Sequence, residues 1–363
     1  ALLISFASGL VALSYEMVWY RAYAFVSEGA AGAFGFLLGA YLFGIAMGSL
    51  LAGRYLSASG PVASRARAGS PTSGGRGASP ARVLASIAVF VLFSSAASLL
   101  AVPTLGVAVS LHTAGPPACA FVARMHALLP LWKWSLLLVA AAAGALGAVF
   151  PLASHFGIPA DQRAGARLSY LYIANIIGSS AGSLLTGFVL FDHLSLARID
   201  GLLGAVSPLL AAGIFSGMSS SLSTSTRRRA GVLALAWTSA FALSAVAVAS
   251  APRLHDRLYE KLLWGDDWEK NGAFTETVEN RHGVISVSAD GTIYGGGSYD
   301  GKFNTSLLHD KNLVVRAFAL AAMRPDAREV LMIGLASGSW AQVVAHQPGL
   351  EKLVVIEINP GYL

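Results

Sequence analysis

Seven runs of apolar residues, each long enough to cross a lipid bilayer as a helix, constrain this chain more than any other feature. A hydrocarbon core about 30 Å thick needs roughly 20 apolar helical residues to span it. The runs lie near 1–26, 31–53, 83–109, 133–153, 168–191, 199–216 and 231–251. The sixth is interrupted by glycines and Pro208. Hydrophobic residues make up 55% of the 363 and charged residues only 12%, about half the roughly 25% typical of a soluble domain. Mean hydropathy is +0.61. Lipid is therefore the expected solvent for most of the chain, and a helical bundle the expected answer to it.

The formal charge of +6 sits largely in loops between the runs, which points to membrane topology rather than to nucleic acid. The single Cys119 excludes an intrachain disulfide and a cysteine-based metal cluster, and the scattered histidines form no metal-ligand pair. No metal is expected. The segment 57–80 is rich in Ser, Gly, Pro and Arg and reads as a disordered loop; 112–117 and the Ser-rich 216–229 are further breaks. The Arg-rich loops 54–82 and 227–229 should both be cytoplasmic, and four crossings between them agree. The seventh would then deliver the C-terminal part outside, which conflicts with a cytosolic nucleotide cofactor. Either a segment is miscounted, the favoured resolution, or the C-terminal domain is extracytoplasmic.

Small residues recur at helix-packing spacing: Gly35, Gly39, Gly44 and Gly48 in the second run, Ala140, Gly144 and Ala148 in the fourth, Gly178 and Gly182 in the fifth. They allow close backbone approach in lipid, either as a packed bundle or as the lining of a substrate path. Glu16 lies inside the first run, and charge at bilayer depth is costly. Arg21 is five residues on and need not share its face. Glu16 is expected to pair with another helix or serve a substrate, with Arg21 snorkelling to the interface. Asn175 is a candidate for inter-helix hydrogen bonding.

After Pro252 the character changes. The segment 253–264 reads as an amphipathic helix on the membrane surface. The segment 283–289 alternates apolar and polar residues, Asp290-Gly291 supplies a tight turn, and 292–294 returns as a second strand. Gly295-Gly296-Gly297 marks a point of backbone freedom, and 312–323 has a helical period. Val330-Leu331-Met332-Ile333 is an apolar run expected of a buried parallel strand. A small-residue turn follows, Gly334-Leu335-Ala336-Ser337-Gly338-Ser339, then a helix and the strand Leu353-Val354-Val355-Ile356. Glu357 ends that strand, 23 residues after Gly334, at the spacing that suits a ribose diol. An ordinary parallel-sheet unit with a solvated Glu357 is the bland alternative. The turn breaks the usual G-x-G-x-x-G, which disfavours a nicotinamide site. The chain opens on Ala1 and stops at Leu363 just after a strand, so a truncated C-terminal domain is expected.

The chain resembles the membrane-bound branch of the spermidine synthase (polyamine aminopropyltransferase) family. The resemblance rests on Tyr15-Glu16-Met17-Val18-Trp19-Tyr20-Arg21, Gly147-Ala148-Val149-Phe150-Pro151-Leu152 and Tyr172-Ile173-Ala174-Asn175-Ile176-Ile177-Gly178, followed by the hairpin and the strand–helix–strand unit. It implies a multi-pass bundle over 1–252, an amphipathic linker and β-hairpin over 253–327, and the start of a class I methyltransferase-like, Rossmann-type α/β domain over 328–363. It implies decarboxylated S-adenosylmethionine as aminopropyl donor, or S-adenosylmethionine in a related transferase, with a polyamine or other small amine as acceptor. By position it assigns Gly334, Ser337, Gly338, Glu357 and Asn304 to the cofactor and Asp310 to the substrate. It also implies a catalytic Asp beyond Leu363.

Several positions depart from the family pattern. Ser337 stands where the glycine turn carries Asp, Asn304 where the hairpin carries Gln, and Val314, Val315 and Arg316 where Tyr, His and Glu are usual. These departures leave two alternatives open: a transporter or sensor whose synthase-like domain is regulatory or inert, and another S-adenosylmethionine-dependent transferase. A bilayer, with the bacterial inner membrane as expected location, and a homo-oligomeric arrangement complete the expectations.

Overall fold

The computed structural model describes residues 1–58, 80–111, 121–159, 161–219 and 226–363. Seven of its helices are long and apolar enough to cross a membrane: α1 (Leu2–Val26), α2 (Ala31–Ala58), α3 (Pro80–Ser110), α4 (Phe121–Gly157), α5 (Ala164–Leu185), α6 (Leu196–Ser219) and α7 (Thr226–Leu254). The chain is a multi-pass membrane protein. Helix α5 continues through a π-helical turn, Thr186–Leu190, into Phe191–His193. Pro208 lies inside a continuous α6, so the interruption expected there does not break the helix. Exposed Phe43, Phe93, Leu235 and Phe241 are in keeping with a surface that faces lipid rather than water. Cys119, the segment 112–117, most of 57–80 and part of 216–229 lie outside the described residues.

The bundle is built from tightly seamed pairs. A Cβ placed on Gly44 would strike the Ala140 carbonyl, and one on Gly48 the Gly144 carbonyl, so α2 and α4 touch backbone to backbone. Gly178 and Gly182 meet the Phe6 and Leu10 carbonyls in the same way and join α5 to α1. Serines finish the seams: Ser49 Oγ donates to Gly147 O at 2.9 Å and Ser14 Oγ to Gly182 O at 3.2 Å. Gly35 and Gly39 have open space where a Cβ would go, so they belong to neither seam. Helix α1 lies at the centre. Its Tyr15, Trp19 and Tyr23 are fully buried, Tyr15 stacks on Trp19 at 5.7 Å, and Tyr23 meets Trp132 edge-on at 5.2 Å.

The C-terminal part begins with α8 (Leu258–Trp264), whose Leu258, Tyr259 and Leu262 join the main core with α1 and α3. The surface amphipathic helix expected here is instead tucked under the bundle, because its apolar side finds protein rather than lipid. A short α9 (Trp268–Asn271) leads to an antiparallel meander, β1 (Glu276–Asn280), β2 (Gly283–Val287), β3 (Thr292–Gly295) and β4 (Ser298–Lys302). The expected hairpin is β2–β3, with Ser286 opposite Tyr294. Asp290 fixes its turn by accepting from Ser288 Oγ, Thr292 Oγ1 and Lys302 Nζ. The glycine run makes the β3–β4 turn, with Gly296 and Gly297 at positive φ. Then come α10 (Val315–Met323), β5 (Glu329–Ile333), α11 (Ser339–Ala345) and β6 (Lys352–Ile356), with β5 and β6 paired in parallel, Ile333 beside Ile356. This parallel sheet has two strands in the described residues, and it leaves Ile333 and Ile358 exposed, at 83% and 80%.

Contacts between the two parts place the sheets at one end of the bundle. Arg21 Nη2 donates to the Asn280 carbonyl, Arg281 pairs with Asp192 at 3.2 Å, and Glu279 Oε2 accepts both the Leu196 N–H at the start of α6 and the Tyr259 hydroxyl, each at 2.8 Å. Arg21 is thus buried, its guanidinium 3.6 Å from the Phe191 ring centroid. It turns to the sheet instead of snorkelling to water, where a carbonyl accepts its hydrogen bond and an aromatic face packs on its guanidinium. The seven-helix count stands in the described residues, so the miscount expected from the topology conflict does not occur.

Candidate functional site

The site is assembled where β4, the loop before α10 and the bend after β5 converge. A cavity of about 410 Å³ opens there, lined by Tyr299, Asp300 and Gly301 from β4, Lys311–Leu313 from the loop, and Met332–Ser337 with Trp340 from the bend and α11. Its size falls within the roughly 300–1,000 Å³ of small-molecule pockets.

The bend follows from its residues. Gly334 and Gly338 take φ of +86° and +74°, conformations that cost glycine little. Ala336, at φ +48°, takes the same region with a Cβ and therefore carries local strain. Glu357, at the carboxyl end of β6, closes over this bend: Oε2 accepts the Leu335 N–H and Oε1 the Asn359 N–H, both at 2.7 Å. Partial burial pushes its carboxyl upward, but the amides of Asn359, Leu335 and Ile358 outweigh it and hold the group below the usual carboxylate range. A depressed folded-state value means that this contribution to stability is present at neutral pH and is lost as pH falls through that value.

Of the residues expected at a cofactor, Gly334 and Ser337 line the cavity. Gly338 precedes α11 and shapes the bend. Glu357 sits at the rim, bound to Leu335 of the wall, and is not itself part of the lining. Asn304 lies off the cavity and closes its own loop, donating to His309 O at 2.8 Å and accepting from Ser306 N at 2.9 Å. Asp310 caps α10, accepting the Val314 and Val315 N–H groups at 2.9 and 3.1 Å. Helix α11 has only seven residues, and its Ser339 hydroxyl is tied to Lys302 O at 2.8 Å.

The organising residue is one the sequence pattern does not announce. Asn312 Oδ1 accepts the Tyr299 hydroxyl at 2.9 Å and the Lys302 N–H at 2.8 Å. Its Nδ2 lies 2.6 Å from Lys302 O, 3.0 Å from Asn304 O and 2.9 Å from Ser339 Oγ. Its own carbonyl accepts the Trp340 indole N–H at 2.8 Å. One amide therefore binds the hairpin, the loop and α11 around the cavity. Asp300 is the only carboxylate among the described lining residues; the Tyr362 hydroxyl donates to it, and burial followed by that bond raises the Tyr362 phenol well above its ordinary range.

A polar chain links this site to the membrane. Arg21 on α1 donates to the Asn280 carbonyl, Asn280 Nδ2 to Asn359 Oδ1 at 2.6 Å, and the Asn359 N–H to Glu357, which accepts in turn from the bend. Among the described residues no group of three or more His, Cys, Asp or Glu is placed to hold a metal ion. No family model, curated protein or solved structure matches the chain.

Proposed function

We propose that the chain is a membrane-anchored transferase of the spermidine synthase type, whose C-terminal part binds an adenosyl sulfonium cofactor over the bend after β5. The observation that carries this reading is the parallel β5–α11–β6 unit with Glu357 fixed at its carboxyl rim beside a small-molecule cavity. Open α/β sheets bind ligands at that edge. The Glu357 oxygens accept from backbone N–H groups of the bend and of Asn359, and a carboxylate with about four acceptor positions keeps capacity for a ribose hydroxyl. Asp300 in the wall can hold an amine. The chemistry would be attack of an amine on the carbon next to sulfonium, helped by positioning and proton removal. The class I methyltransferase fold, the decarboxylated donor and a polyamine acceptor belong to this proposal.

Two observations favour other readings. Lys311 in the wall and Ser337 in place of an acid suit the carboxylate of ordinary S-adenosylmethionine better than its decarboxylated form. The Arg21–Asn280–Asn359–Glu357 chain, which ties the bend to a membrane-spanning helix, supports a sensor whose domain does no chemistry. Calorimetric titration of the chain in nanodiscs with both sulfonium compounds separates the three. Tighter binding of the decarboxylated form supports the first reading, the reverse supports the second, and heat from neither removes both enzymes. Glu357→Ala is expected to weaken whichever compound binds by about tenfold or more, since a charged hydrogen-bond acceptor contributes roughly 1.5–3 kcal/mol. Glu357→Gln, which keeps one acceptor oxygen for the bend, should fall between; affinity unchanged in both would misplace the ribose.

A further inference from the structure

Between the seamed pairs α1–α5 and α2–α4 lies a second cavity, of about 460 Å³, away from the sheets. All four helices contribute to it. Most of its wall is apolar, including Leu13, Leu38, Ile45 and Leu146, and Tyr41, Phe150 and Tyr172 add aromatic faces. Hydrogen-bonding groups come from Ser8, Ser49, Asn175 and Ser179. Glu16 supplies the single charge, on the fifteenth residue of a 25-residue spanning helix, slightly past the middle of that helix.

The state of Glu16 sets it apart. Among the described residues it makes no ion pair and no hydrogen bond, and it is half-buried rather than sealed, so its carboxylate is reachable from the cavity. Three buried or half-buried acids at the bundle are engaged: Asp192 with Arg281, Asp200 with His255, Glu279 with Leu196 and Tyr259. Asn175 is spent on the α1–α5 seam, its amide donating to Ser5 O at 3.0 Å. An acid at this depth costs several kcal/mol unless a countercharge or a proton neutralises it, and such residues in membrane proteins mark ligand paths. Here the described residues provide no countercharge.

We infer that this cavity is a binding site for an organic ammonium ion, with the cationic head on Glu16 and its apolar body between α2, α4 and α5. An ammonium donates hydrogen bonds that Glu16 and the neighbouring hydroxyl oxygens accept. The tyrosine and phenylalanine faces attract a cation and would repel an anion. The apolar remainder of the wall excludes a small hydrated metal ion, which would need oxygen ligands on all sides. The inference does not depend on the adenosyl site and holds equally for an enzyme, a sensor or a transporter.

The test uses the whole chain in nanodiscs of zwitterionic lipid, with n-butylammonium chloride as probe and 1-butanol and NaCl as controls. Butylammonium is expected to raise the thermal unfolding midpoint, and neither control should do so. Glu16→Gln, which keeps shape and removes charge, should weaken the probe at least tenfold. Should Glu16→Gln fail to fold, carbodiimide modification of Glu16 in the unaltered chain makes the same distinction: butylammonium protects it, butanol and sodium do not. Equal shifts from butanol would identify a mere lipid-chain crevice, and equal shifts from sodium an inorganic cation site. Either result overturns the inference, as does a probe effect that survives Glu16→Gln or carbodiimide labelling that the probe leaves unchanged.

Discussion

Replacing Asp200 by alanine is expected to lower the stability of the bundle by about 3–5 kcal/mol, the range for breaking a buried pair from one side. Asp200 and His255 side chains are 0% and 4% exposed, with Oδ2 and Nε2 3.2 Å apart. The His255 Nδ1 lies 2.9 Å from the Ala251 carbonyl, and a carbonyl only accepts, so Nδ1 carries a proton. Nε2 therefore faces Oδ2 across that distance, and with both side chains sealed from water each has the other as its polar neighbour. Alanine removes the partner and leaves a polar ring in an apolar crevice where Gly201 packs against Ala251. Asparagine behaves differently: its amide N–H can donate to an unprotonated Nε2, so Asp200→Asn should cost about 1 kcal/mol. The double change Asp200→Ala with His255→Leu should recover part of the loss, since no unpaired polar group remains. Thermal unfolding of the purified variants in detergent measures all three. Equal losses from alanine and asparagine would show that the carboxylate itself holds the pair and that an amide donor cannot replace it.

The spans were legible because lipid imposes a length rule on apolar runs, and no tertiary contact is needed to read it. The β2–β3 hairpin and the β5–α11–β6 unit were legible for a similar reason: strand period, turn chemistry and run length are local. Strands β1 and β4 were missed because Glu276–Asn280 and Ser298–Lys302 carry no apolar alternation; they are held by pairing with β2 and β3. The glycine spacing signalled close helix approach correctly for Gly44, Gly48, Gly178 and Gly182 but equally marked Gly35 and Gly39, which touch nothing. Spacing fixes a helix face, and only the partner decides whether that face is used. The place of Glu357 at the end of β6 was legible because distance along a strand–helix–strand unit is set by the fold. Asn312 was not, since its six contacts come from residues 299, 302, 304, 339 and 340, which only folding brings together. The placement of Arg21 failed for the same reason: its partners are Asn280 and Phe191.

That distinction between used and unused glycines yields the second large effect. Gly48→Leu should abolish stable packing of α2 on α4, whereas Gly39→Leu, the same change on the same helix, should leave it intact. At Gly48 the new side chain would meet the carbonyl, carbon and Cα of Gly144, all backbone. A side chain in the way can change rotamer, but an opposing helix must move bodily. Overpacking costs about 1–3 kcal/mol where neighbours can shift, and here separation also forfeits the dispersion contacts along the Gly44–Ala140 and Gly147–Ile45 approaches. The expected loss is at or above the top of that range. At Gly39 nothing lies within 4 Å of the added Cβ, the position is exposed, and leucine replaces glycine at the surface of an apolar helix with a better helix former. Midpoints of thermal unfolding, read by loss of the monodisperse peak on size exclusion, should fall steeply for Gly48→Leu and stay level or rise for Gly39→Leu. Because α2 and α4 together form one wall of the Glu16 cavity, a Gly48→Leu protein that survives purification should also bind butylammonium more weakly, while Gly39→Leu should not. Parallel behaviour of the two variants would mean that the close α2–α4 contact is not what holds this bundle together.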